Sequence, residues 1–142
     1  MPKDKSNILI LCTANSCRSQ MSEGIARQLF GDQYNVYSAG SKPSFVHPKA
    51  IAVMNEINID ISTHHSKSIQ DLDHLDFDVV MTVCGHADDN CPVFQGSYQR
   101  VFWPFEDPAS ADHLPDADAM DVFRLVRDQI LTKFKQEWHL VV

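Results

Sequence analysis

In the stretch CTANSCRSQ, Cys12 is followed six positions later by Arg18 and then by Ser19, with a second cysteine, Cys17, between them. A thiol and a guanidinium so spaced suit chemistry on a tetrahedral oxyanion. The arginine fork matches two oxygens at once, and a cysteine held in a positive field is expected to titrate below the free thiol and act as a nucleophile. Two further cysteines, Cys84 and Cys91, stand in VCGHADDNCP with six residues between them, against four between Cys12 and Cys17. Zinc knuckles usually use shorter spacings, so catalytic or redox thiols are expected and no metal.

The elements around these residues say how they are held. NILILC reads as a strand covered on both faces, and Arg18 to Phe30, with Met21, Ile25, Leu29 and Phe30 on one stripe, as a helix stopped at Gly31. The reactive stretch therefore lies on a strand-to-helix junction. YNVYSAG reads as a second strand and HPKAIAVMNEI as a helix with Pro48 in its first turn. The polar STHHSKSIQDLDHL is a loop with a short helix, FDVVMTVC and SYQRVFWPF are the third and fourth strands, and Asp116 to about Trp138 is an amphipathic closing helix.

This order predicts an α/β fold: one domain, residues 1–142, with a four-stranded parallel sheet in a three-layer α/β/α arrangement. Ligands of such sheets bind beyond the carboxyl ends of the strands, where Cys12 and Cys84 both fall. The N–H groups of Thr13, Ala14, Asn15, Ser16, Cys17, Arg18 and Ser19, turned inward and merging with a helix N-terminus, would form an anion cradle. Ser19 is expected to donate its hydroxyl to the Cys12 thiolate. Asn15 is expected to tolerate a left-handed backbone and brace the loop.

The chain has 142 residues, 44% apolar and 22% charged, enough for one buried core. A net charge of -7 without a basic cluster argues against nucleic acid and anionic membranes as partners. With no apolar run of membrane-spanning length and no signal-type leader, a soluble, cytoplasmic protein is expected; a monomer is expected as well. Thiols in that compartment stay reduced, which disfavours structural disulfides for the four cysteines.

At these residues the chain resembles a known group. CTANSCRSQ is similar to the C-x5-R-S phosphate-binding loop of the low-molecular-weight protein tyrosine phosphatase superfamily, and EDP, with Asp107 before Pro108, resembles its late general-acid loop. With the C-x6-C pair added, the chain as a whole resembles the thioredoxin-coupled arsenate reductases of that superfamily. The resemblance implies reduction of arsenate to arsenite, with Cys12 as nucleophile, Cys84 and then Cys91 as resolving thiols, and Asp107 as general acid. It implies no bound cofactor, electrons from reduced thioredoxin, and competition by phosphate and sulfate. Ala14 departs from the glycine common at its position, so an ordinary φ is expected there. Some reductases of this kind hold a potassium ion behind the loop at positions matching Asn15, Glu23 and Ser38, together with a carboxylate. Here Lys67 takes the place of that carboxylate, and its ammonium either reaches Glu23 or lies in solvent.

Other residues carry plainer readings. Cys17 has no place in a relay of three thiols and reads as structural or modulatory. Asp107 has a second reading as the cap of a turn with Pro108. His64 and His65 read as exposed, and Trp103 and Phe105 as core or as a wall near Asp107. Two other functions fit part of the pattern. A tyrosine phosphatase would use Cys12, Arg18 and Asp107 alone and want aromatic walls; a non-enzymatic redox or oxyanion sensor would use the C-x6-C pair to switch a partner surface.

Overall fold

The computed structural model describes residues 5–84, 96 and 98–140. Strand β1 (Ser6–Cys12) is followed by helix α1 (Arg18–Phe30), β2 (Tyr34–Gly40), α2 (Pro48–Asn55), β3 (Val79–Thr82), β4 (Gln99–Phe102) and α3 (Asp116–Glu137). The strands form one parallel sheet in the order β2-β1-β3-β4. With β1 in its interior, the residues from Ile8 to Cys12 are all buried, which is why this strand is a continuous apolar run.

Alternate residues of β1 serve opposite faces. Ile8, Ile10 and Cys12 face the three α-helices, packing with Met21, Ile25, Val53, Met54, Phe123, Val126, Ile130 and Phe134. Leu9 and Leu11 lie in a second cluster with Ala39, Leu72, Phe77 and Val80. Among the described residues, the cover on that side is the short 3₁₀ turn Ile69–Leu72 and the chain beside it.

The third and fourth strands are shorter than their apolar runs. Pairing nevertheless continues beyond them: the Val83 N–H donates to Leu11 O at 3.0 Å, Trp103 N–H to Thr82 O at 2.9 Å and Phe105 N–H to Val83 O at 3.1 Å. Pro104, between these last two donors, needs no N–H because Trp103 and Phe105 make the bonds to Thr82 and Val83. Among the described residues, no helix is long and apolar enough to cross a membrane.

Candidate active site

The loop from Thr13 to Cys17 is shaped by where its carbonyls go. Thr13 O accepts from Lys42 N–H at 2.9 Å, Ala14 O from Ser44 N–H at 3.2 Å and Ser66 Oγ at 2.8 Å, and Asn15 O from Gln20 Nε2 at 3.2 Å. Ser16 O accepts from His47 N–H at 3.2 Å and Cys17 O from Met21 N–H at 2.9 Å. With the carbonyls drawn outward, the N–H groups turn toward Cys12 and the helix start, which no side chain caps. The loop also crosses directly over the end of β2. A Cβ on Gly40 would lie 2.4 Å from Thr13 O and 2.9 Å from Asn15 N, so only glycine lets the loop sit there.

Asn15 takes φ 49°, and Ala14 has no positive φ. The Asn15 amide donates to Ser19 Oγ at 2.8 Å and Ser38 Oγ at 2.9 Å, and its Oδ1 accepts from Gln20 Nε2 and from Lys67 N–H, each at 2.9 Å. Ser19 Oγ accepts from the Asn15 amide and so keeps its own O–H; among the described residues no hydrogen bond joins it to Cys12.

Cys12, Cys17, Arg18 and Asp107 line one cleft of about 210 Å³ together with Ala14, Ser16, Phe45 and His47. Arg18 is 5% exposed; its Nη1 donates to Phe105 O at 3.3 Å and its Nη2 lies 3.7 Å from Asp107 Oδ2. Asp107 fulfils the capping reading with its other oxygen, which accepts from Ala109 N–H at 3.0 Å. Trp103 belongs to the core, while Phe105 packs against it and lends the carbonyl that Arg18 uses.

The expected low pKa of Cys12 is corrected by the structure. Burial pushes this thiol above its ordinary value, outweighing the downward pull of Arg18 and of the Thr13 and Ala14 N–H groups, and Asp107 adds to the upward push. Cys17 is pushed up to about 12, mainly by burial, and its thiol donates to Ser16 Oγ at 3.7 Å. Both thiols are free. Cys84 is buried just beyond β3, the strand beside β1, in the same cluster as Cys12, and it is disulfide-bonded. Cys91 lies outside the described residues.

Behind the loop, Glu23 is 2% exposed and fully engaged. Ser38 Oγ donates to its Oε1 at 2.6 Å, while Arg27 lies 3.3 Å, His64 3.3 Å and Lys67 3.9 Å from its oxygens. Lys67 therefore reaches Glu23. His64, expected in solvent, is instead tucked against Glu23 and Gln20 Oε1, 2.9 Å from its Nδ1; His65 is exposed. Burial lowers the His64 pKa despite the pull of Glu23. These residues do not fit a monovalent cation, because Glu23 already faces cationic groups and Asn15 turns donors toward Ser38. Gln20 and the pair His47–Asp112 carry no motif that marks them in the sequence; His47, before Pro48 at a helix start, has only the N-cap position to mark it.

A family model described as low molecular weight phosphotyrosine protein phosphatase matches residues 7–138. The chain is 44% identical over 133 residues to "Arsenate reductase 2" of Staphylococcus saprophyticus, covering 94% of this chain and 96% of that one. Among solved structures, it is similar to an arsenate reductase in the phosphate binding state (TM-score 0.74, 36% identity, 96% of this chain and 99% of that one). It is also similar to an arsenate reductase in oxidized state (TM-score 0.78, 34% identity, the same coverage).

Proposed function

The chain belongs to the low molecular weight phosphotyrosine protein phosphatase family, and within it we propose that this protein reduces arsenate to arsenite through Cys12, Cys84 and Cys91, recycled by thioredoxin. The observation that carries the reading is the pairing of a cleft around free Cys12 with a disulfide-bonded Cys84 just beyond the neighbouring strand. A phosphatase has no use for the second thiol. The similarity to arsenate reductases over nearly the whole chain supports the same reading.

In this reading, arsenate lies on the loop N–H groups with two oxygens on the Arg18 fork. Cys12 attacks arsenic, its thiol proton passing to an arsenate oxygen, and Asp107, 3.7 Å from Arg18, helps that oxygen leave as water. The product is a sulfur–arsenic(V) bond. With its disulfide first reduced by thioredoxin, Cys84 attacks the Cys12 sulfur as a thiolate, and the electron pair of the broken sulfur–arsenic bond stays on arsenic, which departs as arsenite after taking up protons. Cys91 then attacks the Cys84 sulfur, freeing Cys12, and the external dithiol of thioredoxin reduces the resulting bridge.

The test is arsenate-dependent NADPH oxidation with thioredoxin and thioredoxin reductase. The parent turns over repeatedly, Cys12→Ser yields no arsenite, and Cys91→Ser stops after one equivalent with Cys12 bridged to Cys84. Arsenite that never exceeds one equivalent in the parent sinks the reading. Phe45, 59% exposed on the cleft, favours a secondary hydrolysis of aryl phosphates. That activity consumes no NADPH, so the same assay separates the two.

A further inference from the structure

Asp107 reaches the cleft from a 3₁₀ turn, Pro108–Ala111, and can be held no better than that turn is anchored. The two ends of the turn differ. At its start, the bonds are internal: Asp107 Oδ1 accepts from Ala109 N–H, and Asp107 O from Ser110 N–H at 3.2 Å and Ser110 Oγ at 2.7 Å. At its end, Asp112 is tied to another element, with Oδ2 2.7 Å from His47 Nε2 and Oδ1 3.4 Å from Lys49 Nζ.

His47 is placed to hold it. Its Nδ1 accepts Lys49 N–H at 3.1 Å as the N-cap of α2, which puts the ring hydrogen on Nε2, aimed at Asp112. The ring is 7% exposed and lies 4.7 Å from the Phe123 ring centre. Its backbone N–H meanwhile donates to Ser16 O in the anion loop. One residue thus touches both halves of the cleft.

We propose that His47 and Asp112 form a latch that fixes the turn, and with it Asp107, over the Cys12–Arg18 cradle. The inference rests on the acid role given to Asp107 above, and it makes both members positioning residues. The buried Pro108 and Ala111 seat the turn on the core, while the latch sets how the turn faces the cleft. The Asp112 carboxyl, although burial pushes it up, is held below the usual range by His47 and Lys49, so the bond to His47 is one between a charged acceptor and an N–H donor.

Two variants test this. His47→Asn keeps an oxygen able to cap Lys49 N–H but cannot span to Asp112, and Asp112→Ala removes the acceptor. In both, the Ser110 and Asp112 amides exchange with solvent about tenfold faster. The kcat for arsenate falls about tenfold, while the Kd for inorganic phosphate stays within about threefold. Asp112→Ala added to Asp107→Asn costs nothing further. Unchanged amide exchange, or an equal loss in the Asp107→Asn background, overturns the latch. If the parent does not reduce arsenate, the function falls, and the latch is judged on exchange and phosphate binding alone.

Discussion

The two sides of the anion loop each bury one charge, and they handle it in opposite ways. Behind the loop, the Glu23 carboxylate is met by Ser38, Arg27, His64 and Lys67, all supplied by the chain itself. In front, the Arg18 guanidinium faces the carboxylate of Asp107 at 3.7 Å, on a side chain that is 47% exposed. An ion whose counter-charges are all built in is part of the scaffold. A buried cation that faces, among the described residues, a carboxylate at the solvent edge and beyond hydrogen-bond reach suits the proposed uptake of an oxyanion from solution.

The sharpest way to break this contrast is at Arg18. Arg18→Lys keeps the positive charge and loses the planar fork, so kcat/KM for arsenate falls about 100-fold and inhibition by phosphate weakens in parallel. Near-parental kinetics would mean that the front needs only charge, as the back does.

The matching change behind the loop is Glu23→Gln, which keeps the shape and removes the anion that Arg27, His64 and Lys67 share. Breaking a buried ionic cluster from one side should cost roughly 3 kcal/mol, read as a lower urea midpoint at unchanged m. Phosphate affinity should change far less than in Arg18→Lys. A large loss of anion binding with no loss of stability would reverse the roles assigned to the two sides.

The difference between the sides also explains what was legible from residues alone. The front is one contiguous stretch, Cys12 to Ser19, on a strand-to-helix junction, and periodicity located that junction and the helix from Arg18 to Phe30. Asn15 at φ 49° followed from residue type, while Lys67 beside Glu23 was one of two readings that the family resemblance left open. His64 on Glu23 and His47 on Asp112 did not, because each pair joins residues 41 or more apart, and nothing local marks such a meeting. The Cys12 pKa departs from the sequence expectation for a related reason. The groups that lower it, Arg18 and the Thr13 and Ala14 N–H groups, are in the motif, but the burial that outweighs them comes from strands and helices elsewhere in the chain.

A smaller effect tests the burial of the front thiols. The folded chain holds the Cys17 proton up to about 12, against 9.0 for an ordinary thiol, so above pH 9 the unfolded chain releases a proton that the folded chain keeps. The direction for Cys12 is the same. Stability from these thiols is therefore complete below pH 9 and declines as the pH rises from there. Thermal melts between pH 8 and 10 should show that decline in the parent and a shallower one in Cys17→Ser. Identical slopes would place Cys17 in contact with water.

The smallest expected effect is the response to potassium. Lys67 Nζ lies 3.9 Å from Glu23 Oε1 and donates to His65 O at 2.9 Å, so a fixed ammonium already supplies positive charge behind the loop. Burial lowers the Lys67 pKa and Glu23 counters it, so the shift follows from the partly buried position that lets the ammonium reach the carboxylate. Melting temperature and arsenate turnover should be the same in potassium and sodium at equal ionic strength, which removes general screening from the comparison. Lys67→Asp exchanges the cation for a second carboxylate beside Glu23, and like charges there can be relieved by a bound cation. That variant should gain a saturable dependence on potassium, measured as a rise in melting temperature with added salt. A saturable potassium requirement in the parent would show instead that the back of the loop, like the front, is completed from solution, and the contrast between the two sides would be lost.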